Sequence, residues 1–466
     1  MNIAPLQKVC KGSVVVPGDA NFKKFAYDDL WNLLRPDRTP QVIVRVKDEN
    51  DAVEAVKFAR DNNLKVTVRG GGHNWCSPSL RNSGMLIDLT ELNKVISIDS
   101  KARKAVVQPI ISNRESMQAF TPLGLAFPCG HCPTVKLSGY LLGGGLPWNQ
   151  GVWGHGCESV EAIELVTAEG KRITASKDEN KDYFWAACGA GSGFFGVALR
   201  YHLKLHPLPK AIHCSVYYYS LSDAAALAAW LETLAPTLPA KIELSLFVVA
   251  APKELKEACA SNGGKVAMIT AVSYADTEQE AKDSLKPFED CPIIAKALSK
   301  SVAFPTNFEG LFDASGAMWP APMRSRVEST FSNAKPADFF TAVTPHLAKM
   351  PSPLTVFMYV FFTGPNVPGK QNPDIAYSMN TRYLAGCWTM WMDPKADDTN
   401  STWHEELLKQ MKPFLCGNYI GESDTVTYPE DAVNAYSPEN WKRLAELRTK
   451  LDPTGVFFGY TGGFGK

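Results

Sequence analysis

The chain lacks an excess of charge of either sign. Lysine plus arginine and aspartate plus glutamate each number 48 in 466 residues, so the formal net charge is zero. Proteins that bind nucleic acids or anionic membrane surfaces usually carry a strongly basic face. The composition therefore predicts neither nucleic acid nor a membrane as a partner.

Long apolar segments are also missing. No apolar run approaches the length that spans a bilayer, and residues 1–16 contain no long apolar stretch behind a basic one. We therefore expect a cytoplasmic location. The 11 cysteines, an odd number scattered along the chain, favour free thiols in a reducing compartment over a disulfide framework.

Several catalytic signatures are absent as well. The sequence contains no GxxxxGK[ST] phosphate loop, no HExxH helix and no evident Ser-His-Asp order. These absences argue against a P-loop nucleotidase, a zinc protease of that type and a serine hydrolase.

The hydrophobic pattern predicts an α+β protein with two domains, because 466 residues exceed the usual size of one compact domain. Val42, Val44 and Val46 alternate as in a strand, and residues 53–59 then follow a helical spacing. Later segments such as 242–248 alternate again, which predicts an antiparallel sheet with helices on one face. The other face of such a sheet is available to a ligand.

Two glycine-rich motifs each include a nucleophilic side chain. Arg69–His73 (RGGGH) follows a predicted strand, and Cys129–Val135 (CGHCPTV) precedes Gly143–Gly145. Glycines allow backbone amides to approach a phosphate closely, although a tight turn requires glycine in any case. With His73 and Cys132 beside them, the two motifs indicate a protein that holds a large phosphorylated cofactor and is able to bond to it covalently.

The second motif allows three interpretations. Cys129, His131 and Cys132 are potential metal ligands, but their spacing is tighter than that of the usual zinc sites and no second CxxC or HxxxH pair is present. In the second interpretation, Cys132 is a thiolate nucleophile or a covalent anchor, favoured by nearby amide dipoles. In the third, the cysteine is buried and inert.

The combined motifs resemble the berberine bridge enzyme-like branch of the vanillyl-alcohol oxidase flavoproteins. The segments that carry the resemblance are Val68–Trp75, Gly130–Val135, Gly143–Gly145, Ala168–Gly170, Phe184–Trp185, Gly189–Gly196 and Tyr436–Pro453. The resemblance implies an α+β fold with a two-subdomain PCMH-type FAD-binding domain, formed by residues 1–207 and 416–466. It places a substrate-binding domain, with an antiparallel sheet covered by helices on one face, over residues 208–415.

The same resemblance assigns cofactor contacts. It implies FAD bonded to His73 through the 8α-methyl group and to Cys132 through ring carbon C6. The other residues expected at the cofactor are Arg69, Gly70, Gly71, Gly72, Asn74, Val135, Gly139, Gly143, Gly144, Gly193, Val197 and Asn440. Val135 also matches family members that react with molecular oxygen.

The implied activity is oxidation of a small organic substrate, with an aromatic compound or a secondary metabolite as candidates. A hydride passes from an alcohol, amine or activated C–H to the flavin, which is reoxidised by oxygen to give hydrogen peroxide. Alternatives are a dehydrogenase or oxidative cyclase with another acceptor, or a non-catalytic ligand-binding member of the fold. No sequence pattern selects an oligomeric state.

The catalytic base is less specified by the resemblance. The Tyr-x-Asn-Tyr motif of the family is assigned to Thr425–Tyr428, which has threonine where some members have a catalytic tyrosine. A base near the flavin is needed to accept the proton of the substrate. The candidates are Tyr359, Tyr140 and Tyr428, with Glu422 as a carboxylate alternative.

Overall fold

The computed structural model describes residues 1–320, 322–364, 374–379 and 381–460. Its helices are α1 (Ala4–Val9), α2 (Phe22–Tyr27), α3 (Glu49–Asp61), α4 (Asn113–Phe120), α5 (Leu137–Leu142), α6 (Gln150–Trp153), α7 (Lys181–Ala187), α8 (Ala224–Leu234), α9 (Glu278–Leu285), α10 (Phe308–Met318), α11 (Pro336–Leu347), α12 (Asp397–Met411) and α13 (Pro438–Leu451). Its strands are β1 (Ser13–Val15), β2 (Val42–Arg45), β3 (Val66–Arg69), β4 (Met85–Asp88), β5 (Val95–Asp99), β6 (Lys104–Val107), β7 (Leu125–Ala126), β8 (Val160–Val166), β9 (Arg172–Ser176), β10 (Val197–Lys204), β11 (His206–Pro207), β12 (Ala211–Ser220), β13 (Ile242–Ala250), β14 (Lys265–Ala275), β15 (Ser299–Thr306), β16 (Arg324–Ser332), β17 (Val356–Phe361), β18 (Tyr383–Trp391) and β19 (Leu415–Asn418).

The first 207 residues form a four-stranded sheet, a five-stranded sheet and a two-stranded sheet in which β11 pairs with β7. A four-stranded sheet has the order β1-β2-β4-β3, in which β4 pairs in parallel with both β2 and β3. Helix α3 connects β2 to β3 and is capped by Asp48, whose side chain accepts hydrogen bonds from the amides of Asn50 and Asp51. A five-stranded antiparallel sheet, β5-β6-β10-β8-β9, follows. The short strand β3 therefore ends at the first glycine motif.

The C-terminal segment returns to the first sheet. The amide of Val66 donates to the carbonyl of Val456, and the amide of Phe458 donates to the carbonyl of Val66. Before this segment, α13 is capped by Ser437, whose side chain accepts a hydrogen bond from the amide of Asn440. The segment after α13 therefore packs along β3, beside the first glycine motif.

The middle of the chain forms an eight-stranded antiparallel sheet of order β15-β12-β14-β13-β17-β18-β16-β19. Alternate residues of its strands lie on opposite faces, as the two-residue period of a strand requires. On β13, Leu246 and Val248 belong to a core cluster that includes Leu227 of α8, Val343 of α11 and Leu407 of α12. Helices therefore cover one face of the sheet, and the α+β prediction with a sheet covered on one side is confirmed.

Strand β19 lies across the predicted domain boundary at residue 415, because it belongs to the eight-stranded sheet although most of it was assigned to the other domain. The division into 1–207 with 416–466 and 208–415 stays a prediction. In the part of the chain that the structure describes, no helix is both long enough and apolar enough to cross a membrane.

Candidate active site

A cavity of about 710 Å³ lies between the glycine motifs and the uncovered face of the eight-stranded sheet. Strands β12–β15, β17 and β18 of the sheet line the cavity, and most of their contribution is a set of alternate residues from four adjacent strands. These are Cys214, Val216 and Tyr218 of β12, Met268, Thr270 and Val272 of β14, Glu243, Ser245 and Phe247 of β13, and Met358 and Val360 of β17. The cavity wall on this side is largely apolar and aromatic, as is common in small-molecule sites.

The opposite wall contains the first glycine motif. Gly72 has a φ of +64°, and a Cβ there would lie 1.9 Å from the carbonyl oxygen of Asp29. Only glycine fits that backbone conformation and that close approach. Among the described residues, none accepts a hydrogen bond from the backbone amides of Gly71, Gly72 or His73. These donors are therefore available for a phosphate group.

The sequence analysis predicts Arg69 at the cofactor, but its side chain is held by protein groups instead. Its guanidinium is buried, donates to Asp88 Oδ2 at 2.8 Å and to the carbonyl of Ala26 at 2.9 Å, and also contacts the carbonyl of Phe25. A buried guanidinium requires such partners, because an unpaired charge is costly away from water. Arg69 therefore fixes the end of β3 against the N-terminal segment, and only its backbone is positioned for the cofactor.

His73 and Cys132 lie together at the cavity. His73 Nε2 is 3.5 Å from Cys132 Sγ and 3.0 Å from Thr134 Oγ1. Burial raises the pKa of the Cys132 thiol, but the charge of His73 and the hydrogen bonds from His73 and Thr134 outweigh it and lower the pKa to about 7. The two predicted anchors therefore form one nucleophilic pair, which comes from two different loops.

The other side chains of the CGHCPTV motif separate into different environments. Cys129 is fully buried, and burial raises the pKa of its thiol. His131 instead lines the cavity. Among the residues that the structure describes, no group of three histidine, cysteine or acidic side chains is arranged to hold a metal ion.

The remaining residues predicted at the cofactor divide into two groups. Gly70, Gly71, Gly72, Asn74, Val135 and Gly139 line the cavity. A Cβ at Gly139 would meet no atom within 4 Å, so this glycine leaves space in the cavity wall. The observed donors, the nucleophilic pair and this open wall together fit an FAD molecule.

The second group of predicted cofactor residues does not line the cavity. Gly143 packs against Gly421, Gly144 against the ring of Tyr377, and Gly193 against the ring of Tyr460. Val197 is fully buried in β10. Asn440 Nδ2 donates hydrogen bonds to the carbonyls of Ile375 and Ala376. The structure therefore places these residues behind the cavity wall, and their direct contacts with the cofactor stay a prediction. Their physical role is close packing of the segments behind the cavity, while the neighbouring Gly191, Ser192 and Gly196 reach the cavity itself.

Tyr359 lies on the wrong face of the sheet for a catalytic base. Its ring packs against Phe339 and Phe340 of α11, at centroid distances of 5.1 and 5.3 Å. The strand period places its neighbours Met358 and Val360 on the cavity face instead. The prediction for Tyr359 is therefore wrong, because its side chain belongs to the helix-covered core.

The other two tyrosines are also poorly suited to accept a proton. Tyr140 lines the cavity, but its hydroxyl donates to the carbonyl of Pro128 at 2.9 Å, and burial raises its pKa well above the usual value. Tyr428 lies outside the cavity, directly before a short 3₁₀ turn, and burial raises its pKa as well. Both environments favour the neutral phenol, the opposite of what a base requires.

Two carboxylates face the cavity. Glu422 Oε2 accepts from Ser329 Oγ at 2.6 Å, and burial raises its pKa, although that hydrogen bond and the charges of His131 and His73 oppose the shift. Glu243 Oε1 lies 2.6 Å from His131 Nε2. Glu243 was missed by the sequence reasoning, although an acidic residue within an alternating apolar strand was the available signal.

The structure also corrects the assignment of the Tyr-x-Asn-Tyr motif. Cys416–Tyr419 contains the motif's asparagine and second tyrosine, whereas Thr425–Tyr428 contains only the tyrosine. Tyr419 lines the cavity directly after β19, while Cys416, at the first position, is exposed. The first position of the motif is therefore not a tyrosine in either assignment: it is Thr425 in the first and Cys416 in the second.

Comparisons with known proteins agree with this arrangement. The family model of the FAD binding domain matches residues 40–176, which include the first glycine motif, Cys132 and β8. The FAD-linked oxidoreductase nodO of Hypoxylon pulicicidum is 26% identical over 436 residues, or 92% of each chain. The (R)-6-hydroxynicotine oxidase of Paenarthrobacter nicotinovorans is 31% identical over 219 residues, which is 47% of each chain.

Solved structures share the whole fold. The 6-hydroxy-D-nicotine oxidase of Arthrobacter nicotinovorans superposes with a TM-score of 0.82 at 22% identity, covering 99% of both chains. The BBE-like 1 protein of Physcomitrella patens superposes with a TM-score of 0.81 at 19% identity, covering 99% of this chain and 98% of its own. The chain therefore contains a match to the FAD binding domain, is similar over most of its length to an FAD-linked oxidoreductase, and shares the fold of a 6-hydroxynicotine oxidase and of a BBE-like protein.

Proposed function

We propose that this enzyme is an oxidase that holds FAD through two covalent bonds, at His73 and Cys132, and oxidises a small organic substrate. The observation that carries the proposal is the 3.5 Å separation of His73 Nε2 and Cys132 Sγ at the wall of the cavity. Both atoms are nucleophiles, and both are placed on the side of the cavity where the unpaired amides lie.

Different residues are assigned to different parts of the cofactor. The amides of Gly71, Gly72 and His73 are the donors that we assign to the pyrophosphate. When bound, FAD supplies an acceptor for a hydride from the substrate. Covalent attachment leaves the rest of the cavity open to the substrate without loss of the cofactor.

The sheet face supports an apolar or aromatic substrate. Phe247, Met268 and Met358 project from it toward the cavity, while the carboxylates of Glu243 and Glu422 provide polar contacts at its margin. A substrate that matches this wall has an apolar body and one alcohol, amine or other activated group. Such a group is the part of the molecule that is oxidised.

Oxygen is the acceptor that we propose for the reduced enzyme. Val135 lines the cavity three residues after Cys132, as the resemblance to oxygen-reactive family members requires. The runner-up is a dehydrogenase or oxidative cyclase that passes the electrons to another acceptor. Anaerobic reduction followed by exposure to air distinguishes them, since an oxidase produces stoichiometric hydrogen peroxide on reoxidation.

The attachment is tested on acid-precipitated, washed protein by absorbance and by mass spectrometry of tryptic peptides. We expect a yellow pellet and flavopeptides that contain both His73 and Cys132. His73→Ala and Cys132→Ala should each retain one flavin bond, and the double variant should retain none. A spectrum and a peptide map that neither substitution changes would contradict the bicovalent proposal.

A further inference from the structure

The cavity contains a histidine–carboxylate pair that the cofactor assignment does not use. His131 Nε2 lies 2.6 Å from Glu243 Oε1, so a loop of the FAD side contacts a strand of the eight-stranded sheet. The imidazole also packs on the ring of Trp148, with a centroid distance of 4.0 Å. Two independent elements thus hold the imidazole in one place.

The contact specifies how the imidazole is protonated. A carboxylate only accepts hydrogen bonds, so Nε2 carries a proton when Glu243 is ionised. No described residue forms a hydrogen bond with Nδ1, and the side chain of His131 is 38% exposed, although it lines a cavity. In the neutral imidazole, the lone pair is therefore on Nδ1, which is open to a ligand.

The charges around His131 favour its protonated form. Burial lowers the pKa of His131, but the charge and hydrogen bond of Glu243, with the charge of Glu422 and, before the flavin bond forms, that of Cys132, outweigh it and raise the pKa. These three groups come from β13, from the segment after β19 and from the loop of His131 itself. A proton accepted by this imidazole is consequently stabilised by a neighbouring carboxylate, as in a catalytic triad.

We propose that His131, oriented by Glu243, accepts the proton of the substrate during its oxidation. This inference rests on the proposed function, because the oxidant is the bound FAD. Glu243 is a positioning residue, since it acts through the imidazole. The substrate class becomes narrower: the oxidised carbon must be bonded to an O–H or N–H group.

The proton and electron balance is complete. The O–H or N–H bond of the substrate breaks and its proton moves to Nδ1 of His131. The adjacent C–H bond breaks with both of its electrons, which leave as a hydride to the oxidised FAD. The substrate gains a C=O or C=N bond and is oxidised by two electrons. The proton later leaves His131 to solvent.

A spectroscopic probe tests the proton acceptor without turnover. The holoenzyme is titrated with 4-nitrophenol in slightly acidic buffer, where the free phenol is mostly protonated, and the spectrum of the enzyme alone is subtracted. We expect the phenolate band to increase on binding to the native protein. His131→Gln and Glu243→Gln should each reduce the ionisation of the bound phenol at least ~tenfold, equivalent to one pKa unit.

The matched control is His202→Gln. His202 Nε2 lies 3.1 Å from Glu164 Oε1, and its side chain is 35% exposed, so this pair resembles that of His131 but lies outside the cavity. This variant should retain the phenolate band. Retention of the full phenolate band in His131→Gln would overturn the proposal. Loss of the phenolate band in Glu422→Gln alone would assign the proton to Glu422 instead.

A second measurement uses no ligand. Diethylpyrocarbonate modifies the neutral imidazole, so the pH profile of His131 modification in the flavopeptide reports its titration. The midpoint should fall in Glu243→Gln, because the stabilising carboxylate is lost. An unchanged midpoint would contradict the role of Glu243. Covalent flavin content is measured on the same samples, so a failure of the proposed cofactor attachment is seen separately.

Discussion

The thiolate character of Cys132 depends on His73, and the dependence can be measured in flavin-free protein. The pKa of Cys132 is about 7, against an ordinary value of 9.0. Half of the thiol is therefore ionised at pH 7. Without the charge and hydrogen bond of His73, burial is opposed only by the weaker hydrogen bonds of Thr134, so the pKa should rise back to about 9.0. The ionised fraction at pH 7 would then fall to about one hundredth.

The alkylation rate changes less than the ionised fraction. A thiolate of higher pKa is a better nucleophile, and two pKa units raise its intrinsic reactivity about sixfold to tenfold. The net expectation for His73→Ala is alkylation of Cys132 that is slower by about fivefold to eightfold at pH 7. A further rise of the pKa through burial would make the decrease larger.

The assay is alkylation by iodoacetamide of protein produced under riboflavin starvation, followed by mass spectrometry of the peptide that contains Cys132. Cys416 provides an internal reference, because it is exposed and the pKa of its thiol is raised mainly by burial. Its rate should not respond to His73→Ala. Equal alkylation rates of Cys132 in the native and His73→Ala proteins would refute the reasoning.

Three further predictions concern the loop, the sheet and a buried carboxyl. Gly72→Ala should lower the free energy of unfolding by at least ~2 kcal/mol in urea titrations, because a side chain there has a strained φ and clashes with Asp29; an unchanged midpoint would contradict this. Tyr359→Phe should leave flavin reduction and 4-nitrophenol binding unchanged, since its ring lies in the helix-covered core; a loss of either would return Tyr359 to the candidate bases. Burial raises the pKa of Glu328 from 4.5 to about 8, so its carboxyl binds a proton more tightly in the folded state. Stability should therefore fall as the pH rises from about 5 to 8, by up to about 3 kcal/mol, and Glu328→Gln should remove that loss; equal pH profiles for both proteins would refute the assignment.

The cofactor side of the site could be predicted from the sequence because the turns that form it depend on residues adjacent in the chain. Short turns are specified by two local patterns: a glycine run directly after a strand, and a cysteine motif before another glycine run. Residues adjacent in sequence, such as Gly72 and His73, are then also adjacent in the site. The pairing of His73 with Cys132 joins residues 59 positions apart, and it came from the family resemblance rather than from any local pattern.

The substrate side was harder to predict from the sequence because it depends on which face of the sheet each side chain lies on. Tyr359 and Met358 are neighbours in sequence but lie on opposite faces of β17, and hydrophobic residues occupy both faces. An alternating pattern identifies the strand without telling which half of its residues meets the helices. The contact between His131 and Glu243 adds a second difficulty, because it joins two elements 112 residues apart.

The alternation of the eight-stranded sheet also has a consequence for adaptation. Positions such as Ser245, Thr270 and Val360 contact the cavity, while Leu246, Ile269 and Tyr359 hold the helices in place. A mutant library restricted to the first set can vary the shape and polarity of the cavity while leaving helix–sheet packing intact. The same scaffold is therefore well suited to acquire new substrates by laboratory selection, with little risk of losing foldability.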